Sequence, residues 1–138
     1  MWAQTSLRQV RISRAHWDAL VEHAREDAPY ECCGYLRAKD GVVDAVYRAE
    51  SVERSPYGFE FGFEALQAAN DLDDEGWEVG TYHSHPKSAA EPSQQDINVV
   101  QYEDWRHLII SLAGDPEIRV WWIRDGKVTE EELEIADG

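Results

Sequence analysis

Two histidines separated by a single residue, His83 and His85, lie near the middle of the chain. Side chains alternate between the two faces of a strand, so both imidazoles are expected on one face, where one divalent ion can bind them together. Pro86 ends the strand register, and the ten residues between His85 and Asp96 leave room for a turn into a helix that carries a third ligand. Two imidazoles and one carboxylate leave a fourth tetrahedral position open, as in catalytic zinc sites.

Ser93 precedes Asp96 by three residues, and this spacing has two interpretations. Ser-x-x-Asp is a helix-start pattern, in which the serine caps the helix and the helix dipole favours a carboxylate in the first turn. A His-x-His pair on a strand is also more often a coincidence of surface or core than a pair of metal ligands. Both interpretations can hold together, because a capped helix start would present Ser93 and Asp96 toward one point. The conjunction of these residue types is rarer than any one of them and favours a metal site.

The string from His83 to Asp96 resembles the signature of the JAMM (MPN-plus) zinc metallopeptidases. Members of that family cleave peptide or isopeptide bonds, often after the C-terminal glycines of ubiquitin-like proteins. Glu31, which precedes a Cys-Gly step and an apolar run, fits the upstream part of the same signature. The resemblance extends over about residues 13–134.

The resemblance implies a role for each of these residues. One Zn²⁺ per chain is expected on His83, His85 and Asp96, where it would acidify a water molecule and polarise the scissile carbonyl. Glu31 is expected to take the proton of that water and pass it to the leaving amine. Ser93 is expected to donate a hydrogen bond to the developing oxyanion. Without the resemblance, Glu31 would be interpreted as a solvated residue at the end of a strand.

Within the family, the chain is similar to small prokaryotic members that remove cysteine from a ubiquitin-like sulfur-carrier protein. The features behind this closer comparison are residues 53–56 and 128–131. The expected reaction is hydrolysis after the C-terminal Gly-Gly of such a carrier, with release of cysteine or another amine. One alternative is the removal of a ubiquitin-like modifier from protein lysines. Another is a metal-free MPN-type scaffold or binding module, although such domains usually lack a ligand that is present here.

Length and charge limit the class of protein. The 138 residues predict one domain, spanning residues 1–138, and the net charge of −15 disfavours nucleic acid and anionic membranes as partners. Cys32 and Cys33 are adjacent and are the only cysteines, so no disulfide framework is expected. With no leader-like start and no long apolar run, a cytoplasmic location is expected.

Periodicity and turn residues predict an α/β fold, in which a mixed sheet is flanked by about three helices. The resemblance identifies this arrangement with the cytidine-deaminase-like JAMM/MPN fold, while a true deaminase is disfavoured because its His-x-Glu and Pro-Cys-x-x-Cys motifs are missing. Strands are predicted over 7–12, 32–38, 42–47, 77–83, 107–113, 117–124 and 127–135, and helices over 14–28, 63–74 and 92–103.

Several residues receive structural interpretations. Ser84 is expected to point away from the two histidines beside it, in a supporting or packing role. His16 and His23 have no ligand-spaced companion and are interpreted as surface or core residues, and His107, which opens a predicted strand, is interpreted as structural. Residues 50–62 predict a loop or an irregular strand near the cleft, whose aromatic side chains either line a groove for a peptide tail or pack in the core.

Overall fold

The computed structural model describes residues 9–98, 100 and 102–136. These residues form seven strands and three helices. The strands are β1 Gln9–Ser13, β2 Cys33–Lys39, β3 Val42–Ala49, β4 Glu78–His85, β5 Arg106–Ser111, β6 Glu117–Arg124 and β7 Lys127–Ala136, and the helices are α1 Arg14–Asp27, α2 Phe63–Asp74 and α3 Gln94–Asn98. In the described part of the chain, none of the helices is long and apolar enough to cross a membrane.

Two Asp-Gly turns form the hairpins that the sequence predicts. Asp40 and Gly41 have φ values of 51° and 78°, and Asp125 and Gly126 have φ values of 52° and 74°. Positive φ at both central residues is the geometry of the type I′ turn, whose twist matches that of paired strands. The first turn joins β2 to β3 and the second joins β6 to β7.

The sheet is mixed, as predicted, but it closes into a barrel in the order β1-β3-β2-β4-β5-β6-β7. The short strand β1 makes the closure, because it pairs in parallel with β3 on one side and with β7 on the other. The prediction of a sheet flanked by helices is therefore only partly correct. Closure depends on pairing between strands more than a hundred residues apart, such as Val10 with Leu133. The alternation of residue types within one strand carries no information about which other strand it pairs with.

Helix α1 closes the main core. Ser13 caps it, since its Oγ accepts a hydrogen bond from the His16 N–H at 3.1 Å, as the sequence predicts. Its buried residues Leu20, Val21 and Ala24 pack in a core to which all seven strands contribute. Burial of a large aliphatic side chain contributes about 1.5–3 kcal/mol, against about 1 kcal/mol for a typical hydrogen bond, so this core decides which face of each strand is inside.

Strand β4 has two buried faces with different partners. Tyr82 is 1% exposed in the α1 core, and the Ser84 Oγ accepts a hydrogen bond from the Cys32 N–H at 2.8 Å. The alternate residues face the opposite side of the sheet, where α2 packs against β2 and β4. Ser84 thus points away from His83 and His85, as predicted, and the adjacent Cys32 remains a free thiol.

The third helix differs from its prediction. It covers Gln94–Asn98 only, and Tyr102–Trp105 form a turn in place of the predicted helix end near 103. Packing explains the difference, because Trp105 stacks on Tyr102 at 4.0 Å and is buried against Ala69 and Val79. Residues 99 and 101 of this prediction, and residues 7 and 8 of the predicted first strand, lie outside the described residues.

The packing around Gly34 generates a stability prediction. A Cβ atom at this position would overlap the Tyr82 ring and the Tyr47 carbonyl oxygen, so Gly34→Ala forces β2 away from both neighbours. We expect the free energy of unfolding to fall by about 3 kcal/mol or more, as in overpacked cores, measured by urea denaturation. Gly114→Ala is the control, because no atom lies within 4 Å of its added Cβ; a change above about 0.5 kcal/mol there, or an equal change in both variants, would contradict this account.

Candidate active site

Strand β4 brings the two predicted histidine ligands together. His83 and His85 lie on one face of the strand, each is 4% exposed, and their Nε2 atoms are 3.2 Å apart. The predicted strand end at residue 83 is extended by two residues, so both imidazoles are held by regular sheet pairing with β2 and β5. The shared face that alternation predicts is therefore present in the structure.

The start of α3 brings Asp96 to the same point. Ser93 caps this helix, since its Oγ accepts a hydrogen bond from the Asp96 N–H at 3.0 Å, while the Ser93 N–H donates to Asp96 Oδ2 at 2.9 Å. The same Oδ2 atom lies 3.2 Å from His83 Nε2 and 3.1 Å from His85 Nε2. The structure therefore contains both the helix cap and the convergence of the three predicted ligand atoms.

Hydrogen bonding determines the tautomer of His85. Its Nδ1 lies 2.8 Å from the Ala89 carbonyl oxygen, which can only accept, so Nδ1 carries the proton and donates it. In the neutral ring, Nε2 then directs its lone pair toward Asp96 and His83. This is the arrangement of metal-binding histidines, whose other nitrogen usually donates to a carbonyl or carboxylate.

The charges of these three side chains favour a bound cation. Burial opposes ionisation of Asp96, but hydrogen bonds from His83 and His85 outweigh it and hold the pKa of this carboxyl well below its usual range. For His85, burial lowers the pKa, while the bonds to Asp96 and to the Ala89 carbonyl more than compensate and raise it. Two imidazole nitrogens and an anionic oxygen within 3.2 Å repel one another unless a proton or a metal ion lies between them.

The spacing of these three atoms fits zinc. Ligand atoms 2.0–2.1 Å from a tetrahedral Zn²⁺ lie about 3.3 Å from one another, close to the observed 3.1–3.2 Å. A second possible set is Glu31, His83 and His85, whose ligand atoms all lie within 4.8 Å of one another. Asp96 Oδ2 lies at ligand spacing from both imidazole nitrogens and is therefore the better third ligand, while Glu31 lies beside the same two histidines.

Glu31 lies two residues before β2 and has an unsatisfied carboxyl group. Its backbone N–H donates to the Ser55 carbonyl at 3.0 Å, and Cys33, two residues later, pairs with His83 across the sheet. The side chain is buried, and its Oε1 has no hydrogen-bond partner within the described residues. Burial raises the pKa of Glu31 to about 7, against the effect of His85 and together with that of Asp96. A carboxyl that exchanges its proton near neutral pH suits a general base.

A cleft of about 420 Å³ opens beside His83 and Asp96. Residues 51–61 form one wall as an irregular loop, joined by isolated bridges between Ser51 and Phe61 and between Ser55 and Gly58, as the sequence predicts. The lining is mainly apolar, and its hydrophobic side chains are Phe59, Phe61, Leu66, Val100, Tyr102, Trp105, Ile109 and Ile123. A cleft of this size and character is typical of binding sites for small molecules or short peptide segments.

Sequence reasoning missed several supporting residues. Phe59 stacks on the His83 ring, and Ala89 accepts the hydrogen bond that orients His85. His107, interpreted as structural, lines the cleft beside Thr81, with 3.4 Å between its Nδ1 and the threonine Oγ1. The contacts of Phe59 and His107 join segments far apart in the chain, so no residue spacing signals them. Ala89 follows His85 by only four residues, but it contributes a backbone carbonyl, which the type of side chain does not signal. His23 lies in the core, which is one of its two predicted locations. Its Nδ1 is hydrogen-bonded to the Tyr82 hydroxyl at 2.7 Å.

Known proteins resemble this chain over most of its length. The family of prokaryotic homologs of the JAB domain matches residues 13–124. The CysO-cysteine peptidase of Mycobacterium tuberculosis strain H37Rv is 35% identical over 129 residues, which cover 87% of this chain and 86% of the relative. A solution structure of a Desulfitobacterium hafniense protein superposes with a TM-score of 0.79 at 31% identity, covering 94% of each chain.

A more distant structure shares the fold. It is described as JAMM, a metalloprotease-like zinc site in the proteasome and signalosome, and it matches with a TM-score of 0.57 at 21% identity over 92% of this chain and 99% of its own. These similarities and the extent of the family match agree with the signature in the sequence. The chain belongs to the prokaryotic branch of the JAB-domain family.

Proposed function

We propose that this chain is a zinc-dependent peptidase that cleaves after the C-terminal Gly-Gly of a ubiquitin-like sulfur-carrier protein and releases cysteine or another amine. The observation that carries the proposal is the convergence of His83 Nε2, His85 Nε2 and Asp96 Oδ2 within 3.2 Å, beside the buried carboxyl of Glu31. Three ligands with an open fourth position distinguish catalytic zinc sites from structural ones.

His83, His85 and Asp96 would hold the ion. When bound, Zn²⁺ supplies positive charge that acidifies a water molecule and polarises a carbonyl group. Strand β4 fixes the two imidazoles, the Ala89 carbonyl fixes the tautomer of His85, and the α3 cap fixes the carboxylate. Little rearrangement of the chain is then needed on binding, which favours both affinity and a defined orientation of the substrate.

Glu31 would transfer the protons of the reaction. Its free Oε1 accepts a proton from the attacking water and then donates it to the nitrogen of the leaving amine. Peptide hydrolysis needs both transfers, since water must lose a proton and the amine must gain one. A carboxyl with a pKa raised by burial to about 7 can serve in both directions near neutral pH.

Ser93 would stabilise negative charge on the substrate. Its Oγ accepts from the Asp96 N–H, which leaves the hydroxyl hydrogen free to donate to an oxygen that becomes anionic beside the ligands. A preorganised donor of this kind contributes about 10²–10³ in turnover. The serine would thus have two roles, since the same side chain also caps α3.

The apolar cleft suits an extended glycine tail. Glycine has no side chain to keep the backbone away from a metal centre, and the cleft walls offer apolar contact along the segment. The similarity to a CysO-cysteine peptidase supports a carrier-linked cysteine as the substrate. We also propose a cytoplasmic location, which is supported by the free thiols of Cys32 and Cys33.

Metal binding is tested first. We expect purified protein given one equivalent of zinc to retain it through dialysis, and Asp96→Ala to lose both zinc and activity, because two imidazoles alone bind the ion weakly. Bound metal is measured by mass spectrometry, with Asp115→Ala, on an exposed loop, as the control. Failure of the wild-type protein to retain zinc would favour the alternative of a metal-free scaffold and would overturn the proposal that the chain is a zinc-dependent enzyme.

The variant Glu31→Gln tests whether Glu31 acts as the general base or as a metal ligand. The substitution preserves volume and leaves all three ligands in place, so we expect about one equivalent of bound zinc with turnover reduced by about 10²–10⁴. Zinc content and cleavage are measured on the same sample, beside the exposed helix variant Glu64→Gln. Zinc loss in Glu31→Gln would make Glu31 a ligand, and near-normal turnover would remove it from the mechanism.

Substrate choice is tested with two adducts of one carrier. CysO carrying a C-terminal amide-linked cysteine is compared with CysO linked through its terminal glycine to a lysine side chain of a peptide. We expect kcat/KM to be at least about tenfold higher for the cysteine adduct, since the similar curated relative is named for that reaction. Cleavage of the lysine conjugate alone would replace the proposed substrate with the alternative of modifier removal.

A further inference from the structure

The two histidines are oriented by different means. The His85 ring is fixed by its hydrogen bond to Ala89, whereas in the described part of the chain every side-chain hydrogen bond of His83 is made to His85 or Asp96, through Nε2. The plane of the His83 ring is instead covered by the Phe59 ring, whose centroid lies 4.6 Å away with 26° between the two planes. An imidazole usually needs an orienting partner outside the metal site, and stacking is the one that His83 has here.

Phe59 is itself held in place. It meets Phe61 edge to face, with 5.2 Å between centroids and planes at 84°, a favourable aromatic geometry. The loop around it is tied by the Val52 N–H, which donates to the Glu60 carbonyl at 2.8 Å, and by the Glu60 N–H, which donates to Ser51 Oγ at 2.9 Å. Phe59 therefore has a defined position although it belongs to no strand of the barrel.

We propose that Phe59 is a positioning residue, which holds the His83 imidazole in the plane that directs Nε2 toward His85 and Asp96. The ring does by contact what the Ala89 carbonyl does for His85 by hydrogen bonding. Flat stacking restricts rotation about χ2 of His83, the torsion that would swing Nε2 out of the site. The inference rests on the proposed function in one respect only, that the three converging atoms bind zinc.

The same loop also contacts Glu31. The Ser55 carbonyl accepts the Glu31 N–H at 3.0 Å, so one segment outside the sheet borders both the base and a ligand. Because this segment is a wall of the cleft, a peptide tail in the cleft lies against the element that orients His83. Tail binding and ligand geometry are thereby linked through Phe59.

Zinc affinity tests the role of Phe59 without reference to turnover. We expect Phe59→Leu to weaken zinc binding by about 3- to 10-fold in competition with a chromophoric chelator, the effect of one lost aromatic contact, and Phe59→Tyr to restore it. Tyr57→Leu is the matched control, because Tyr57 belongs to the same loop but is 81% exposed and is not stacked on the histidine. The Co²⁺-substituted protein provides a second measurement, since its visible absorption depends on ligand geometry and should change in Phe59→Leu alone.

The metal-free protein provides an independent measurement. Ring currents from Phe59 should displace the carbon-bound proton resonances of His83, and this displacement should disappear in Phe59→Leu and persist in Tyr57→Leu. Equal zinc affinity and equal spectra for wild type and Phe59→Leu, or equal losses in both leucine variants, would overturn the proposal. Failure of the wild-type protein to bind zinc would overturn the proposed function instead, while the histidine resonances would still test whether Phe59 orients His83.

Discussion

The alternation of side chains along β4 is the constraint on which the rest of the structure depends. Tyr82 and Ser84 lie on the side of the α1 core, and His83 and His85 lie on the other. A slip of one residue would bury the imidazoles among aliphatic side chains and move Tyr82 to the face of the candidate site, so the apolar core forbids it. The free energy of core packing thereby fixes the orientation of the candidate ligands.

The candidate ligands are held in place by different secondary-structure elements. The histidines belong to regular sheet, and Asp96 belongs to a helix of one turn whose cap is made by Ser93. Such a short helix has little stability of its own, so its interactions with the imidazoles help to hold it in place. A bound cation would strengthen the link between strand and helix, because it would join three atoms that otherwise repel one another.

Local rules predicted where His83, His85 and Asp96 lie and only part of the fold, while Glu31 was identified only through the resemblance to a family signature. Period-two alternation, a helix-cap pattern and Asp-Gly turns each involve neighbours in sequence, and they placed His83, His85 and Asp96 near one another. Closure of the barrel through β1 and the stacking of Phe59 on His83 depend on contacts between distant segments, for which no spacing rule exists. The predicted helix over 92–103 was too long, since packing of Trp105 overrides the local preference.

The bonds between Ser84 and Cys32 have a consequence for how such a domain can change. The Ser84 Oγ and N–H bind the N–H and carbonyl of Cys32, so the strand with the histidines is fastened to the segment that starts at Glu31. The strand that carries the two histidines and the segment that carries Glu31 are thus held together within the barrel, while most of the loop over 51–61 lies outside it. Insertions or substitutions in that loop would therefore change the wall of the cleft and leave the candidate active site intact, provided that an aromatic ring remains at position 59.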